Sequence, residues 1–551
     1  MTPTGDLFVI EAPGKTKVLE EILKDLGLSA RVKATKGHLY DMPEKLTPLG
    51  IDSAFRDFKR TLKDPILGQQ IRTEVQAAHR VFIATDADSE GDVIAWDVAE
   101  LISDICPDPL RIRLKGMDEE SIKEAIAEAS PVRKRDAVAG RTRAIIDRMI
   151  GATFSHDGIA VGRVGTALLG LIDSKRPSTK KLKLVAPSKG GGRPWVAECD
   201  VTLPIDGAVA AKLVKLSFPP LDFAAATKPI STPPAHMGDI MVRAGDVLDM
   251  SPKEADRSLQ RLYEAGRMSY PRSGSRGMSK GVMRKLAKIL KQSGYKFDEE
   301  AVKEKAPDDV HDAPYPIGRV EVQRNPVREG HEEGLRTMIG RDIVRSGQRH
   351  VIEVAGASSI KSFLINQGFS TVVAEHVAGL HWRREDGPRY PGQETWPESS
   401  IVTRRTDTVV LETAITAGLG RPSTWAKHVD AFMSRGLVTD DLALTGKGED
   451  WIAGSPAELL DPRISVAIEN ACEKGISGMM DHPDREPWEI LSEKIVEALP
   501  ERIKRPLISA VSNEPPHPKN NPLEPYVQTV GLDELMEQRK RAYTFAPRPP
   551  A

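Results

Sequence analysis

The sequence predicts a multidomain chain, an α/β unit at the N-terminus followed by mainly α-helical segments. Three observations carry this. The chain has 551 residues, enough for several domains. A strand-turn-helix pattern occurs twice within its first hundred residues. Farther along, helices with clear start and stop signals dominate.

The first strand is Leu7-Phe8-Val9-Ile10, an apolar run long enough for one buried strand. It ends at Glu11-Ala12-Pro13-Gly14-Lys15, after which Val18, Ile22, Leu23 and Leu26 repeat with helical spacing. Glu11 therefore falls at the carboxyl end of a strand. Lys15 falls at the start of a helix, where the backbone dipole already favours anions. The pattern recurs at Val81-Phe82-Ile83-Ala84, followed by Asp86, Asp88 and Glu90 and a helix bearing Ile94, Val98, Ala99 and Ile102. Ligands collect at this end of parallel strands. Four carboxylates sharing one crevice repel unless a cation intervenes, and hard oxygen donors favour magnesium. The D-x-D-x-E-G spacing also imitates a calcium loop, but that loop needs a helix before it, and an apolar run stands there instead. A solvated turn is the plainer alternative.

Ser251-Pro252-Lys253-Glu254 reads as a helix start with cap, proline at the first turn and glutamate three residues on. Ala255, Leu259, Leu262 and Tyr263 share its apolar face, and Gly266 ends it. Met268-Ser269-Tyr270 fits a short strand. In an extended segment Tyr270 and Arg272 leave the same face. A tyrosine ordinarily ionises near pH ~10, so as a nucleophile it needs positive charge beside it. Taken alone, the tripeptide equally suits a buried structural tyrosine. Gly420-Arg421-Pro422-Ser423-Thr424 opens a second helix with Trp425, Val429, Phe432 and Met433 on one face. Gly436 and Leu437-Val438-Thr439 follow, a layout of winged-helix modules and of ordinary packed helices alike.

Composition narrows the classes. The 78 Lys and Arg balance 79 Asp and Glu, so contact with nucleic acid has to be local. Cys106, Cys199 and Cys472 form no C-x-x-C pair, which excludes a zinc ribbon and a disulfide framework. No apolar run reaches the ~18 residues of a membrane span, and a signal-peptide layout is absent, so a cytoplasmic address is expected. No P-loop string G-x-x-x-x-G-K-S/T occurs. Residues from about Pro506 read as a Pro-rich linker. Beyond it, Leu532, Leu535 and Met536 precede Arg539-Lys540-Arg541, a docking helix, a basic DNA contact or a frayed tail.

In this order the motifs resemble the type IA DNA topoisomerases over most of residues 5 to 500. Glu11-Ala12-Pro13-Gly14-Lys15 resembles the family's first strand-turn, and Gly37-His38-Leu39-Tyr40-Asp41-Met42-Pro43 its G-H-x-x-D-x-P stretch. Asp86, Asp88 and Glu90 match the metal-binding acids of its Toprim fold. Arg143 and Asp147 match its A-R-x-x-x-D-R helix, and Gly162-Arg163-Val164 its G-R-V-Q element. Tyr270-Pro271-Arg272-Ser273 matches the nucleophile motif Y-x-R-T. His311-Asp312-Ala313 resembles H-E-A, with Pro316 at the usual offset, and the segment from Gly418 to Trp425 resembles G-I-G-R-P-S-T-Y. Gly165, Gly274 and Asp312 depart from the family pattern.

The resemblance implies a toroid, with an N-terminal Toprim α/β domain, winged-helix-like domains and a β arch. The implied domains are Toprim at 1–118, a mainly helical DNA-binding domain at 119–180 and 411–504, an arch at 181–235 and 352–410, a tyrosine-bearing domain at 236–351 and a tail at 505–551. It further implies ATP-independent relaxation of negatively supercoiled DNA. Tyr270 attacks a backbone phosphorus to leave a 5′-phosphotyrosine link. Lys15 and Arg272 stabilise the phosphoryl charge, Glu11 handles the proton at the 3′ oxygen and His311 orients the site. Asp86, Asp88 and Glu90, with Glu11, hold Mg2+. Arg143, Asp147, Gly162, Arg163, Arg421 and Ser423 meet single-stranded DNA, while His38 is left structural. A monomer working on the nucleoid or on plasmids is expected, with the tail as the candidate contact for a protein partner. A Toprim nuclease and a non-catalytic DNA-binding relative are the competing functions.

Overall fold

The computed structural model describes residues 5–307, 311–385, 390–393, 398–475 and 485–513. The segment from 514 onward, with the tail helix and basic cluster expected there, lies outside them.

Strand β1 (Asp6–Ile10) is buried along its whole length and leads through a 3-10 turn at Pro13–Lys15 into α1 (Thr16–Asp25). Strand β2 (Ala30–Ala34) follows. A two-stranded ribbon, β3 (Tyr40–Asp41) with β4 (Thr61–Leu62), comes next, then α2 (Pro65–Gln76). Strand β5 (Val81–Asp86) runs into α3 (Ser89–Leu101), and β6 (Leu110–Leu114), α4 (Glu119–Ala127) and β7 (Ser130–Pro131) complete the unit. The sheet order is β2-β1-β5-β6-β7. All pairings are parallel except that of β7. Alternate residues feed two apolar layers. Leu7, Val9, Val81 and Ile83 enter one, and Phe8, Ile10, Phe82 and Ala84 enter the other. Burial on both faces is why these strands read as unbroken apolar runs. The sheet does not stop at residue 118, because α4 packs on β6 and β7 closes its edge at Ser130–Pro131.

Helices Val138–Phe154 and Arg163–Lys175 continue the chain and combine with helices from its far end. Ile145, Ile146, Met149 and Ile150 share a core with Trp488, Leu491, Ile495, Ile503 and Leu507. The last helix among the described residues, Glu501–Ser512, continues through Pro506, where a linker was expected. Ile503, Leu507 and Val511 form a buried stripe at four-residue spacing. Burying each is worth roughly 1.5–3 kcal/mol, which together outweighs the ~3 kcal/mol penalty of an interior proline.

The tyrosine-bearing segment supplies helices Met237–Leu248, Pro252–Glu264, Lys280–Gln292 and His331–Ser346. They share one core with helices Arg163–Lys175, Thr406–Thr416 and Trp425–Ser434, so the expected tyrosine-bearing and DNA-binding domains are fused through a common interior. Met268 makes a single bridge to Pro316, and no strand forms at Met268–Tyr270.

The segments expected to form the arch fold into a six-stranded antiparallel sheet. In spatial order its strands are Asp222–Ala226, Ile352–Gly356, Arg383–Glu385, Trp195–Asp200, Lys180–Ala186 and Ser400–Thr403. It is not purely β. Helices Gly207–Leu213, Ser358–Asn366 and Thr371–Ala378 cover the sheet, with Trp195, Ile360, Leu364 and Trp382 in the core between them.

Candidate active site

The register of the parallel sheet builds the site. Ile10 pairs with Ala84, so Glu11 and Thr85-Asp86 emerge side by side at the carboxyl end. Asp88 caps α3, its Oδ1 accepting the Gly91 N–H at 2.8 Å. A Cβ at Gly91 would collide with the Asp86 carbonyl oxygen, which fixes glycine in this turn. Lys15, fully buried at the head of α1, donates from Nζ to Asp86 Oδ1 and stands 4.6 Å over the Tyr263 ring.

Helix Pro252–Glu264 delivers the second half. Ser251 and Glu254 form a reciprocal capping box at its start. Ala255, Leu259 and Leu262 join the central core, but Tyr263 leaves that face for the apolar layer of the N-terminal sheet together with Tyr270. The Tyr263 hydroxyl donates to Asp86 Oδ1 at 3.1 Å and to the Leu114 carbonyl at 3.2 Å. After Gly266, whose φ is +65° and whose missing side chain lets Met117 O approach, the chain turns beneath the sheet. The Tyr270 N–H donates to Lys115 O at 2.9 Å, and the Tyr270 hydroxyl donates to Asp88 Oδ2 at 2.5 Å. Tyr270 is 2% exposed, with the Tyr263 ring edge-on at 5.4 Å and the His311 ring at 4.7 Å.

Burial, reinforced by Asp88 and Asp86, raises the Tyr270 hydroxyl well above its usual pKa. It is therefore held neutral in this closed arrangement. Burial also raises Glu11, to about 7, with the Asp86 carboxylate adding to the rise and Lys15 and Arg272 opposing it. The Glu11 Oε2 atom is buried and unpartnered. Arg272 lies 3.5 Å from Asp256, and its Nε is a buried donor without a hydrogen bond. His311 is pushed down by burial, bonds the Ala87 backbone and leaves Nε2 unpartnered.

Glu90 has partners of its own in this structure. Its Oε2 meets His38 Nε2 at 2.8 Å, and its Oε1 accepts from Arg421 Nη2 at 2.9 Å. These partners hold its carboxyl far below the usual range against the opposing effect of burial. Among the described residues no three His, Cys, Asp or Glu side chains converge as a metal cage. Glu11, Asp86 and Asp88 keep the hard-donor chemistry for a divalent cation, and the orphaned Glu11 oxygen is the observation that fits one. Both Glu90 oxygens are already engaged.

His38 and Arg421 border a cavity of about 270 Å3 that also touches Arg143, Asp147, Arg163, His428 and Glu469. The expected phosphate-binding arginines are internally paired. Arg143 bonds Glu469 and Glu473, and Arg163 bonds Asp147 at 2.7 Å and Glu469 at 3.2 Å. Gly162 caps helix Arg163–Lys175, its N–H donating to Thr166 Oγ1 at 3.2 Å. Ser423 lies in the turn before helix Trp425–Ser434, a turn held by Thr424 Oγ1 accepting the Arg421 N–H. Asp312, where the resembled H-E-A motif has glutamate, accepts the Ser279 N–H at the head of helix Lys280–Gln292. Gly274 has only the Pro422 ring near its missing Cβ, at 3.8 Å.

Sequence reasoning missed three of these groups. His38 was legible from the G-H-x-x-D-x-P stretch but had no partner until the fold supplied Glu90. Tyr263 sits on an apolar helix face, where a phenol reads as core. Glu469 had a signal, an acid between the buried Ser465, Ile468 and Cys472 of helix Pro462–Lys474.

Known proteins supply the remaining evidence. A Toprim domain model matches residues 6–116. The plasmid DNA topoisomerase I of Xylella fastidiosa (strain 9a5c) is 24% identical over 552 residues, covering 86% of this chain and 80% of the relative. DNA topoisomerase 1 of Aquifex aeolicus is 28% identical over 296 residues, covering 50% of this chain and 54% of the relative. Full-length topoisomerase I from Thermotoga maritima shares the fold at a TM-score of 0.59 and 17% identity, over 89% of both chains. The Toprim match at the N-terminal sheet and a similarity that runs through most of its length support the type IA DNA topoisomerase family for this chain.

Proposed function

We propose that the protein is an ATP-independent type IA DNA topoisomerase that breaks one strand through a 5′-phosphotyrosine link, passes another strand and reseals the break. The contact of Tyr270 with Asp88 at the carboxyl end of the Toprim sheet carries this reading. The tyrosine oxygen bonds to a backbone phosphorus as the bond from phosphorus to the 3′ oxygen breaks. Asp88 Oδ2 stands where the hydroxyl proton leaves. Glu11, with a pKa raised to about 7, is poised to hold a proton for the departing 3′ oxygen. Lys15 and Arg272 are cations beside the transferring phosphoryl group, where a preorganised charge acts most strongly. His311 positions Tyr270 through ring contact. Arg421 and Ser423, with Gly162, Arg163, Arg143 and Asp147, border the groove toward the single strand. For Arg143 and Arg163 this means exchanging a carboxylate for a phosphate.

Glu11, Asp86 and Asp88 would hold magnesium, which supplies charge to align the broken ends for resealing. A cation there would compete with Lys15 for Asp86. Tyr270 is buried, so strand entry also requires the Toprim and tyrosine-bearing faces to part, in keeping with a gated ring. The substrate is single-stranded DNA within negatively supercoiled duplex, handled by a monomer on the nucleoid or on plasmids.

The test is covalent trapping. A labelled single-stranded oligonucleotide is incubated with wild type and with Tyr270→Phe, then quenched in denaturant. An adduct with wild type alone supports the reading. Net cleavage without adduct points to a Toprim nuclease, and salt-sensitive binding without cleavage to a non-catalytic relative.

A further inference from the structure

Beside helix His331–Ser346 lies a cavity of about 470 Å3 that shares no residue with the Tyr270 site. Arg193, Arg243, Arg341, Arg345 and Arg349 border it together with Asp342, while Arg345 also donates to Thr232 Oγ1 at 3.2 Å and Arg349 lies 3.6 Å from Asp298 at the rim. Asp342 is committed to Arg243 at 2.6 Å. Arg341 donates to the backbone carbonyls of Val322 at 3.0 Å, Arg324 at 2.6 Å and Pro391 at 2.8 Å, and lies 4.9 Å from the Tyr390 ring centre. Carbonyl groups orient a guanidinium without cancelling its charge. Burial lowers the Arg341 pKa, with Arg243 adding to the fall and Tyr390 and Asp342 opposing it. Tyr390, Val247 and Met338 supply an apolar wall.

The volume suits a nucleoside-sized ligand. Clustered guanidinium groups beside an apolar wall suit a phosphate attached to a ring, since arginine matches phosphate oxygens two at a time. A second cavity, of about 900 Å3, shares Arg243, Asp342 and Arg345 with the first and reaches Gly274 and Pro422 beside the Tyr270 segment. The arginine cavity thus shares a wall with a cavity that borders the Tyr270 segment, without being part of the proposed reaction centre.

We propose that the arginine cavity is a second nucleotide-binding site, holding a nucleoside phosphate with its ring on Tyr390, Val247 and Met338 and its phosphate on Arg345 and Arg349. The nucleotide comes either free from solution or as one unit of a strand that enters past Gly274. The strand source rests on the proposed function, and the free source does not.

Photolabelling of the full chain tests this. The probes are 8-azido-AMP and a 20-residue oligonucleotide carrying 8-azidoadenine at its 3′ end, with labelled peptides mapped by mass spectrometry. The expected result is label within residues 325–350 or 390–393. It should drop at least about tenfold in Arg345→Glu, which removes a charged hydrogen bond and sets a carboxylate against the phosphate, and fall with added salt. Arg349→Glu, at the half-exposed rim, repeats the test without disturbing the interior. The Tyr270 adduct, measured in parallel, should keep its wild-type yield in both variants, so failure here is distinct from failure of the topoisomerase reading. Labelling by 8-azido-AMP identifies a free ligand, and labelling by the oligonucleotide alone identifies a strand. Label confined to peptides bearing Tyr270 or Arg421, label at 325–350 that survives both substitutions, or no label at all overturns the proposal.

Discussion

Glu11 is a buried acid whose ionisation opposes the fold. Its carboxyl ionises near 4.5 in an unfolded chain and at about 7 in the folded one. The folded state is therefore unpenalised below pH ~4.5 and loses stability as pH climbs toward 7, where the unfolded chain alone has released its proton. Glu11→Gln removes that loss. Measured without magnesium, the melting temperature of Glu11→Gln should match wild type near pH 4.5 and exceed it at pH 8. Equal melting temperatures at both pH values would show that Glu11 is not held protonated. His38 runs the other way. Burial alone would lower its pKa, but the Glu90 carboxylate outweighs burial and raises it. Its contribution is full below the unfolded value near 6.5 and fades as pH rises through the folded value. His38→Gln should thus cost more stability at pH 6 than at pH 9 in parallel denaturant titrations.

At the scale of elements, helix Pro252–Glu264 does two jobs with one segment. Leu259 anchors it in the central core, and Leu259→Ala should cost about 2–5 kcal/mol in denaturant unfolding, with adduct formation at Tyr270 declining only in step with the folded fraction. Gly266 is different, because its backbone is left-handed and Met117 O occupies the space of a side chain. Gly266→Ala should cut adduct formation more than it lowers the unfolding midpoint, since it pushes the tyrosine segment off the sheet. An adduct yield that merely follows the folded fraction would remove this role.

Across the whole molecule, the Toprim sheet and the tyrosine-bearing segment meet through the Tyr263 and Tyr270 rings and through Lys285, which reaches Asp118 at 3.2 Å and Glu120 at 2.8 Å. Partly exposed ion pairs of this kind contribute little, about 0–1 kcal/mol each. They weaken with salt, which suits a face that has to part. Lys285→Ala should accelerate hydrogen exchange at residues 268–272 while the central helices stay protected. Unchanged exchange there would show that other interactions hold the face shut.

Local sequence was enough to define the two buried strands, the caps of helix Pro252–Glu264 and the order of the motifs, because those depend on residues within a few positions of one another. Apolar runs, the Ser251–Glu254 box and a left-handed glycine are local signals. It also marked Glu11, Asp86, Asp88 and Tyr270 as chemically notable. Their partners were settled only by the packed fold. Lys15 is taken by Asp86, Tyr270 by Asp88, and Glu90 by His38 and Arg421 rather than by its neighbouring acids. Arg143 and Arg163 find Glu469 more than 300 residues away. The helix through Pro506 and the shared central core were equally hidden. Burial sets how strongly charges pair and whether a proline is tolerated, and burial is a property of the packed molecule rather than of any short segment.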